Sequence, residues 1–249
     1  MKKVDLHIHT IFSDGKNTPE EIVKSAIVQG ISVIGFSDHS YTAFDESYCI
    51  GKDKINEYIN DINSLKEKYK ECIELRLGIE QDFYSDMSTD EFDYVIGSVH
   101  YIKVNDNYIP IDESKEILIK ARDKYFNGDI YSLIEEYYKT VSDVVNKTNA
   151  DIIGHIDLIS KFNENNELFE EQNERYIAAY KNACDVLIKS EKPFEINTGA
   201  ISRGYKSTPY PASDIYKYLK NMGAKFILSS DSHGADTLCY DFDKYMILI

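Results

Sequence analysis

Two of the chain's six histidines, His7 and His9, stand one residue apart in the opening VDLHIHT. Residues two apart in a strand face the same side, so both imidazoles can reach one ion where the strand emerges. The other four close apolar runs: His39 ends GFSDH, His100 ends IGSVH, His155 ends IIGH and His233 ends SSDSH. None is left for a helix or the surface, and six rings at strand ends are hard to obtain unless those ends converge. Carboxylates occupy equivalent positions: Asp14 in the loop after the first strand, Glu80 ending LGIE, and Asp231 two residues before His233. Imidazole mixed with carboxylate suits borderline divalent ions such as Zn²⁺, Mn²⁺ or Fe²⁺, and a bridging carboxylate lets ions sit a few ångströms apart. Nine ligands exceed the needs of one or two ions, so three divalent ions (Zn, Mn or Fe) are expected. Their six positive charges less three carboxylates leave a local excess in a chain of net charge -15, an attraction for an anionic group such as a phosphate ester.

Such a centre requires elements that deliver their ends to one place. Lys3–Ile8 alternates as a strand. TPEEIVKSAIVQG then offers Thr18 as N-cap, Pro19 at the first helical position, Glu21 to close a capping box and Gly30 as a stop. ISVIGFSDH reads as a second strand, and a charged helical stretch from about Lys52 to Lys70 leads into IELRLGIE, followed by YVIGSVH. Helices over Ser114–Phe126 and Asp129–Lys147 precede DIIGH; one over Phe169–Lys189 precedes PFEIN; a last one near Ser213–Met222 precedes AKFILSSDSH. Alternating strand and helix with apolar strands predicts a parallel sheet covered by helices, and about seven units suit a closed or nearly closed barrel, whose C-terminal strand ends share one face. An open doubly wound sheet is the competitor, weakened by the lack of a Gly-rich GxGxxG or Walker loop after any strand. After SSDSH only GADTLCYDFDKYMILI remains, too short for a full covering helix.

Composition narrows the function. With 28 Lys and Arg against 43 Asp and Glu, no nucleic-acid partner is expected. MKK is followed by VDLHIHT, which interrupts any apolar run, so neither a secretory segment nor a membrane span is expected, and the location is read as cytoplasmic. Cys49, Cys72, Cys184 and Cys239 are scattered without a CxxC pair and read as reduced structural thiols. No linker or repeat divides the chain, so residues 1–249 are expected to form one domain. The 20 tyrosines, in a chain without tryptophan, carry no functional reading at this level.

HIHTIFSDG, GFSDH, GIE, GSVH, GHID and SSDSH, in this order along nearly the whole chain, resemble the polymerase-and-histidinol-phosphatase (PHP) superfamily. That resemblance implies a distorted (β/α)7 barrel and a trinuclear metal centre. IGSVHYI, GHIDLISK, FEINTGAISR and PYPASDI look most like the monofunctional histidinol-phosphate phosphatases, which release L-histidinol and phosphate in histidine biosynthesis. Carried over residue by residue, the pattern implies a first ion held by His7, His9, Glu80 and Asp231. Glu80 would bridge to a second ion held by His100 and His155, and a third would be held by Asp14, His39 and His233. Arg203 resembles the family's phosphate-contacting arginine; Lys161 stands where this subfamily more often has Arg, which takes away a planar two-point contact.

The reaction so implied is hydrolysis of a small-molecule phosphate monoester by a metal-bridging hydroxide, with no protein nucleophile. The ions and Arg203 would stabilise the equatorial oxygens, and Asp231 or His233 would protonate the leaving oxygen. Asp5 and Asp38, beside ligands in DLHIH and SDH, have two readings: accepting the second N–H of an imidazole, or ordinary hydrogen bonding at strand ends. The competing readings are another phosphatase or phosphodiesterase on this scaffold, acting on a nucleotide, sugar phosphate, phosphotyrosine or nucleic-acid end, and a metal-binding module without catalysis. Oligomeric state has no signature in the sequence.

Overall fold

The computed structural model describes residues 2–249. Its strands are β1 (Val4–Asp5), β2 (Val33–Phe36), β3 (Glu74–Asp82), β4 (Tyr94–Ser98), β5 (Tyr101–Val104), β6 (Asn107–Pro110), β7 (Ile152–Ile153), β8 (Phe194–Asn197) and β9 (Phe226–Ser229). Seven run parallel in the order β1-β2-β3-β4-β7-β8-β9. β2, β4 and β8 are buried at every position, as parallel strands covered on both faces must be. Between β9 and β1 the pairing shrinks to one parallel bridge, Ile8 with Ser232. There the His9 N–H donates to Ser232 O (2.8 Å) and the Ser232 N–H to His7 O (3.1 Å). The result is the expected nearly closed, distorted seven-stranded barrel, and the closing hydrogen bonds lie at the mouth where the histidines emerge.

The surrounding helices are α1 (Pro19–Val28), α2 (Ile55–Tyr69), α3 (Lys115–Tyr125), α4 (Ile130–Ser142), α5 (Val144–Thr148), α6 (Glu174–Leu187), α7 (Gly199–Ser202), α8 (Ser213–Asn221) and α9 (Phe242–Tyr245). α1 begins as the sequence predicts: Thr18 Oγ1 accepts from the Glu21 N–H (3.3 Å) while Glu21 Oε2 accepts from the Thr18 N–H (2.9 Å). Three boundaries differ from expectation. The helix expected over Asp129–Lys147 divides at Asp143, which leaves helical geometry. α6 starts at Glu174 rather than Phe169 because Asn163 Oδ1 accepts the N–H groups of Leu168 and Phe169 (2.9 Å each), holding that stretch in a turn. β5 and β6 form an antiparallel hairpin that the expectation missed. Its signal is present in VNDN, where Asn105 and Asp106 both take the left-handed conformation that short hairpin turns require.

Tyr94 fills the barrel below the mouth. A methyl group at Gly35 or Gly78 would collide with its ring, so the bare backbone at these two positions of β2 and β3 makes room for one large aromatic residue. Its hydroxyl donates to Leu6 O (2.6 Å). Outside the barrel, one apolar core joins α1 and α2 to β2 and β3, and a second joins α3, α4, α6 and α8 to β7 and β8. The short C-terminal segment packs Phe242 and Tyr245 on Ile196 and Leu228. No helix among the described residues is long and apolar enough to cross a membrane.

Candidate metal centre

Glu80 emerges from β3 into the middle of the mouth, fully buried. Its Oε2 lies 3.2 Å from His7 Nε2, 3.5 Å from His9 Nε2 and 2.9 Å from His39 Nδ1, and its Oε1 lies 3.4 Å from His100 Nε2 and 3.1 Å from His155 Nε2. Five imidazoles thus surround one carboxylate. Around its edge Asp231 Oδ1 approaches His9 Nε2 (3.3 Å), and Asp14 Oδ2 approaches His233 Nε2 (3.1 Å). All nine residues singled out in the sequence meet in this cluster. Donor atoms within 4.8 Å of one another fall into four overlapping groups: His9, Asp14, His39 and His233; His7, Glu80 and His155; His7, His9 and Asp231; His39, Glu80 and His100.

His233 Nε2 and Asp14 Oδ2 are hydrogen-bonded, but most of the atoms around Glu80 are close without being so. Both Glu80 oxygens, His7 Nε2, both His9 nitrogens and His39 Nδ1 are buried with no hydrogen-bond partner among the described residues. Buried polar atoms are almost always paired, since leaving one orphaned costs about 1–3 kcal/mol. Several in one place, with lone pairs aimed at shared points, fit cations between them, and a mixed imidazole and carboxylate set fits divalent ones.

The electrostatics agree. Burial would raise the Glu80 carboxyl, but the imidazoles of His7, His39 and His100 outweigh it and hold it well below the usual carboxylate range. Burial likewise opposes charge on His7, yet Glu195, Glu80 and Asp231 pull its pKa well above the ordinary value. His9, buried between His233 and His39, falls to about 3. Carboxylates that draw protons onto imidazoles in this way offer the same attraction to a metal ion, which displaces those protons on binding.

Two residues absent from the sequence reading orient the rings. Glu195, buried on β8, lies 2.7 Å from His7 Nδ1 and accepts the His155 N–H at 3.2 Å. Placing the proton on Nδ1 leaves the His7 Nε2 lone pair facing Glu80. Asp82, two residues beyond Glu80 on the same strand, lies 3.2 Å from His100 Nδ1 and accepts its backbone N–H at 3.1 Å. The available signal was an acidic residue inside an apolar strand, PFEIN, and a second carboxylate at strand spacing in EQD.

Asp5 and Asp38 do not fill the imidazole-orienting role. Asp5 accepts from the Ser230 N–H (3.1 Å) and hydroxyl (2.5 Å) and the Cys239 N–H (2.9 Å), pinning β1 to the segment around β9. It reaches His7 only at the backbone N–H (3.5 Å), the ring Nδ1 being taken by Glu195. Asp38 accepts from the Thr10 N–H (2.8 Å) and from the Ser13 N–H and hydroxyl (3.2 and 2.5 Å), fastening the loop that carries Asp14. Neighbours on a strand face opposite sides, so Asp38 points away from the His39 ring.

Arg203, just past α7, donates to Asp231 O (2.8 Å), Asp231 Oδ2 (3.0 Å) and His233 Nδ1 (2.8 Å). Asp231 holds a left-handed backbone, φ 48°, an uncommon conformation for a residue other than glycine and one that gathers at functional sites. Burial would raise its pKa, but Arg203, His7 and His9 outweigh that and keep it ionised. Lys161 lines the same 160 Å³ cavity as Arg203, its Nζ donating to Asp112 O (2.8 Å) and Oδ2 (3.1 Å).

Comparison with known proteins places this arrangement among relatives. The PHP domain model matches residues 5–199. The histidinol-phosphatase of Lactococcus lactis is 30% identical, covering 94% of this chain and 85% of its own. A Listeria monocytogenes structure assigned as a histidinol phosphatase superposes with a TM-score of 0.83 at 20% identity, covering 98% of this chain and 100% of the other. The L. lactis histidinol phosphate phosphatase, solved with zinc, L-histidinol and phosphate, superposes with a TM-score of 0.74 at 24% identity, covering 100% of this chain and 92% of that one.

Proposed function

Because the chain belongs to the PHP domain family, we propose that it is a metal-dependent phosphoric monoester hydrolase whose substrate is L-histidinol phosphate, cleaved to L-histidinol and phosphate. The observation that carries this is the ring of imidazoles around Glu80, with buried donor atoms left unpaired. The named activity of the L. lactis relative supports the substrate.

We assign three divalent ions, zinc by likeness to the L. lactis relative solved with zinc: His7, His9, Glu80 and Asp231 would hold the first, Glu80, His100 and His155 the second, and Asp14, His39 and His233 the third. Ions bound there supply Lewis acidity that activates water near neutral pH and offsets phosphate charge. The protein's own groups do the rest. Arg203, at the cavity wall, would offer phosphate oxygens the N–H groups that Asp231 and His233 leave free, and Lys161, paired with Asp112, adds a point charge beside it. Glu195 and Asp82 keep the His7 and His100 lone pairs aimed inward. Asp231 and His233 line the same cavity as Arg203, but Arg203 keeps Asp231 ionised and donates to His233 Nδ1, so both serve there as ligands and the leaving oxygen takes its proton from water. Four cysteines free of disulfides suit a reducing, cytoplasmic location.

The test is phosphate release from L-histidinol phosphate, nucleoside monophosphates and bis(p-nitrophenyl) phosphate, with elemental analysis of the purified protein. L-Histidinol phosphate is expected to give the highest kcat/KM, and chelation to abolish turnover until zinc is restored. A rate led by the diester would discard the reading.

A further inference from the structure

The loops after β7 and β8 carry the two cations that line the 160 Å³ cavity at the mouth, Lys161 and Arg203, among its carboxylates and imidazoles. A third cation, Lys206, is withdrawn from solvent and only 7% exposed. Lysine is almost never buried to this extent unless its charge is paired, yet among the described residues Lys206 forms no salt bridge. Its Nζ donates instead to Ser160 O (3.2 Å) and Ser160 Oγ (3.3 Å), and stands 5.9 Å from the centre of the buried Tyr210 ring.

These bonds join the two loops next to the cavity cations. Ser160 immediately precedes Lys161, and Lys206 immediately follows Tyr205. Lys161 Nζ lies 4.8 Å from the centre of the Tyr205 ring, and Phe162 meets that ring edge-on at 5.7 Å. Gly204, at φ 76°, reverses the chain after Arg203, so that Tyr205 lines the cavity while Lys206 enters the interior. The N–H groups of Tyr205 and Lys206 both donate to Ala200 O (2.9 and 3.3 Å), which ties this turn to α7 and so to Arg203. Elsewhere the loops meet through the Ala212 N–H on Asp157 Oδ2 (2.8 Å) and through the exposed Ser207 hydroxyl on Glu164 Oε1 (2.5 Å). If Ser160 moved away, a buried ammonium would lose both of its acceptors, so this contact holds its geometry more firmly than a surface bond can.

Resting on the phosphatase reading above, we propose that Lys206 is a positioning residue: by clasping Ser160 it fixes the spacing of Lys161 and Arg203 at which both cations meet the phosphate. Lysine at position 161 brings one point charge rather than a planar fork, so its hold on phosphate depends on where its loop places it. With the clasp released, the Lys161 loop is free to part from the Arg203 loop, and phosphate is held by fewer charges in substrate and product alike. The metal ligands stand on strand ends and keep their places.

The experiment compares the zinc-loaded full chain as wild type, Lys206→Met, Ser160→Ala and the double variant. It reads titration with inorganic phosphate, steady-state kinetics on L-histidinol phosphate, and bound zinc by elemental analysis. Methionine keeps the apolar stem of lysine without its charge, so the fold should survive. Lys206→Met should weaken inorganic phosphate and raise KM about tenfold each, with kcat within about threefold of wild type and bound zinc unchanged. Ser160→Ala, which leaves the backbone acceptor, should shift both by about two- to threefold, and the double variant should be no worse than Lys206→Met, because the two side chains act through one contact. Unaltered phosphate affinity in Lys206→Met, additive losses in the double variant, or loss of zinc overturns the assignment. If Lys206→Met does not fold, Ser160→Ala decides: weaker phosphate at wild-type Tm upholds the clasp, and unaltered affinity overturns it. If phosphate weakens as expected while none of the four proteins hydrolyses L-histidinol phosphate, the substrate named above falls and the clasp stands. If all four hydrolyse it with one KM, the clasp falls and the substrate stands. If wild type binds no phosphate, both fall.

Discussion

The barrel mouth and the tyrosine layer between α4 and α6 are both buried and both rich in polar atoms, yet they are built on opposite terms. In the layer, Tyr137, Tyr138, Tyr176 and Tyr180 pack as edge-to-face rings with centroids 5.3–5.9 Å apart in successive pairs. Their polar ends are provided for: the Tyr137 hydroxyl donates to Ile156 O and accepts from the Leu158 N–H, each at 3.2 Å, and Tyr138 donates to Tyr176 at 3.4 Å. No hydroxyl of this layer is among the buried atoms without partners, whereas Glu80 and four of its imidazoles are. A polar group that the protein satisfies internally is structural, and one buried without a partner awaits something from outside. Many of the 20 tyrosines belong to the first kind, which is why their number alone carried no function.

The strongest way to break this contrast is at Glu80. Glu80→Ala is expected to lose bound metal and to lower kcat/KM by a thousandfold or more, measured by elemental analysis and phosphate release. Chelation should lower the Tm of wild type by several degrees, because ions that bind only the folded state stabilise it, and should leave the Tm of Glu80→Ala unmoved. Retained metal and retained rate in the variant would remove Glu80 from the centre of the account.

An intermediate effect is expected at Glu195, which belongs to the mouth and bonds the ligands His7 and His155 together with Asn197. Glu195→Gln keeps the size while weakening the hold on the His7 Nδ1 proton, and metal affinity should fall about 10- to 100-fold. Excess zinc should restore most of the rate. Unaltered affinity in a competition titration would show that the 2.7 Å contact does not set the ring.

The smallest effect on activity is expected in the tyrosine layer. Tyr137→Phe strands Ile156 O and the Leu158 N–H, costing about 1–2 kcal/mol in denaturant unfolding, with kcat/KM within about threefold of wild type. A collapse of activity at unchanged stability would mean that this layer positions His155 directly and that the two regions are not separable.

Much of the centre could be read from pattern alone. Each histidine closes an apolar run, and that placement carries its own meaning, because a strand end at a barrel mouth is a local property of the chain. The capping box before α1 was legible for the same reason: Thr18 and Glu21 lie within one turn. The orienting groups were not. Asp5 and Asp38 sit beside ligands in sequence yet bond backbone and hydroxyls, while the carboxylate at His7 comes from 188 positions away.

Ligand types, the order of strands and the chemistry that imidazole and carboxylate permit were thus contained in short stretches of residues, since periodicity and donor identity do not depend on distant neighbours. Which lone pair faces inward and which carboxylate remains unpaired came from folding. Those properties arise from contacts such as Glu195 with His7 and with the His155 backbone N–H, and a contact between segments remote in the chain leaves no mark on either one.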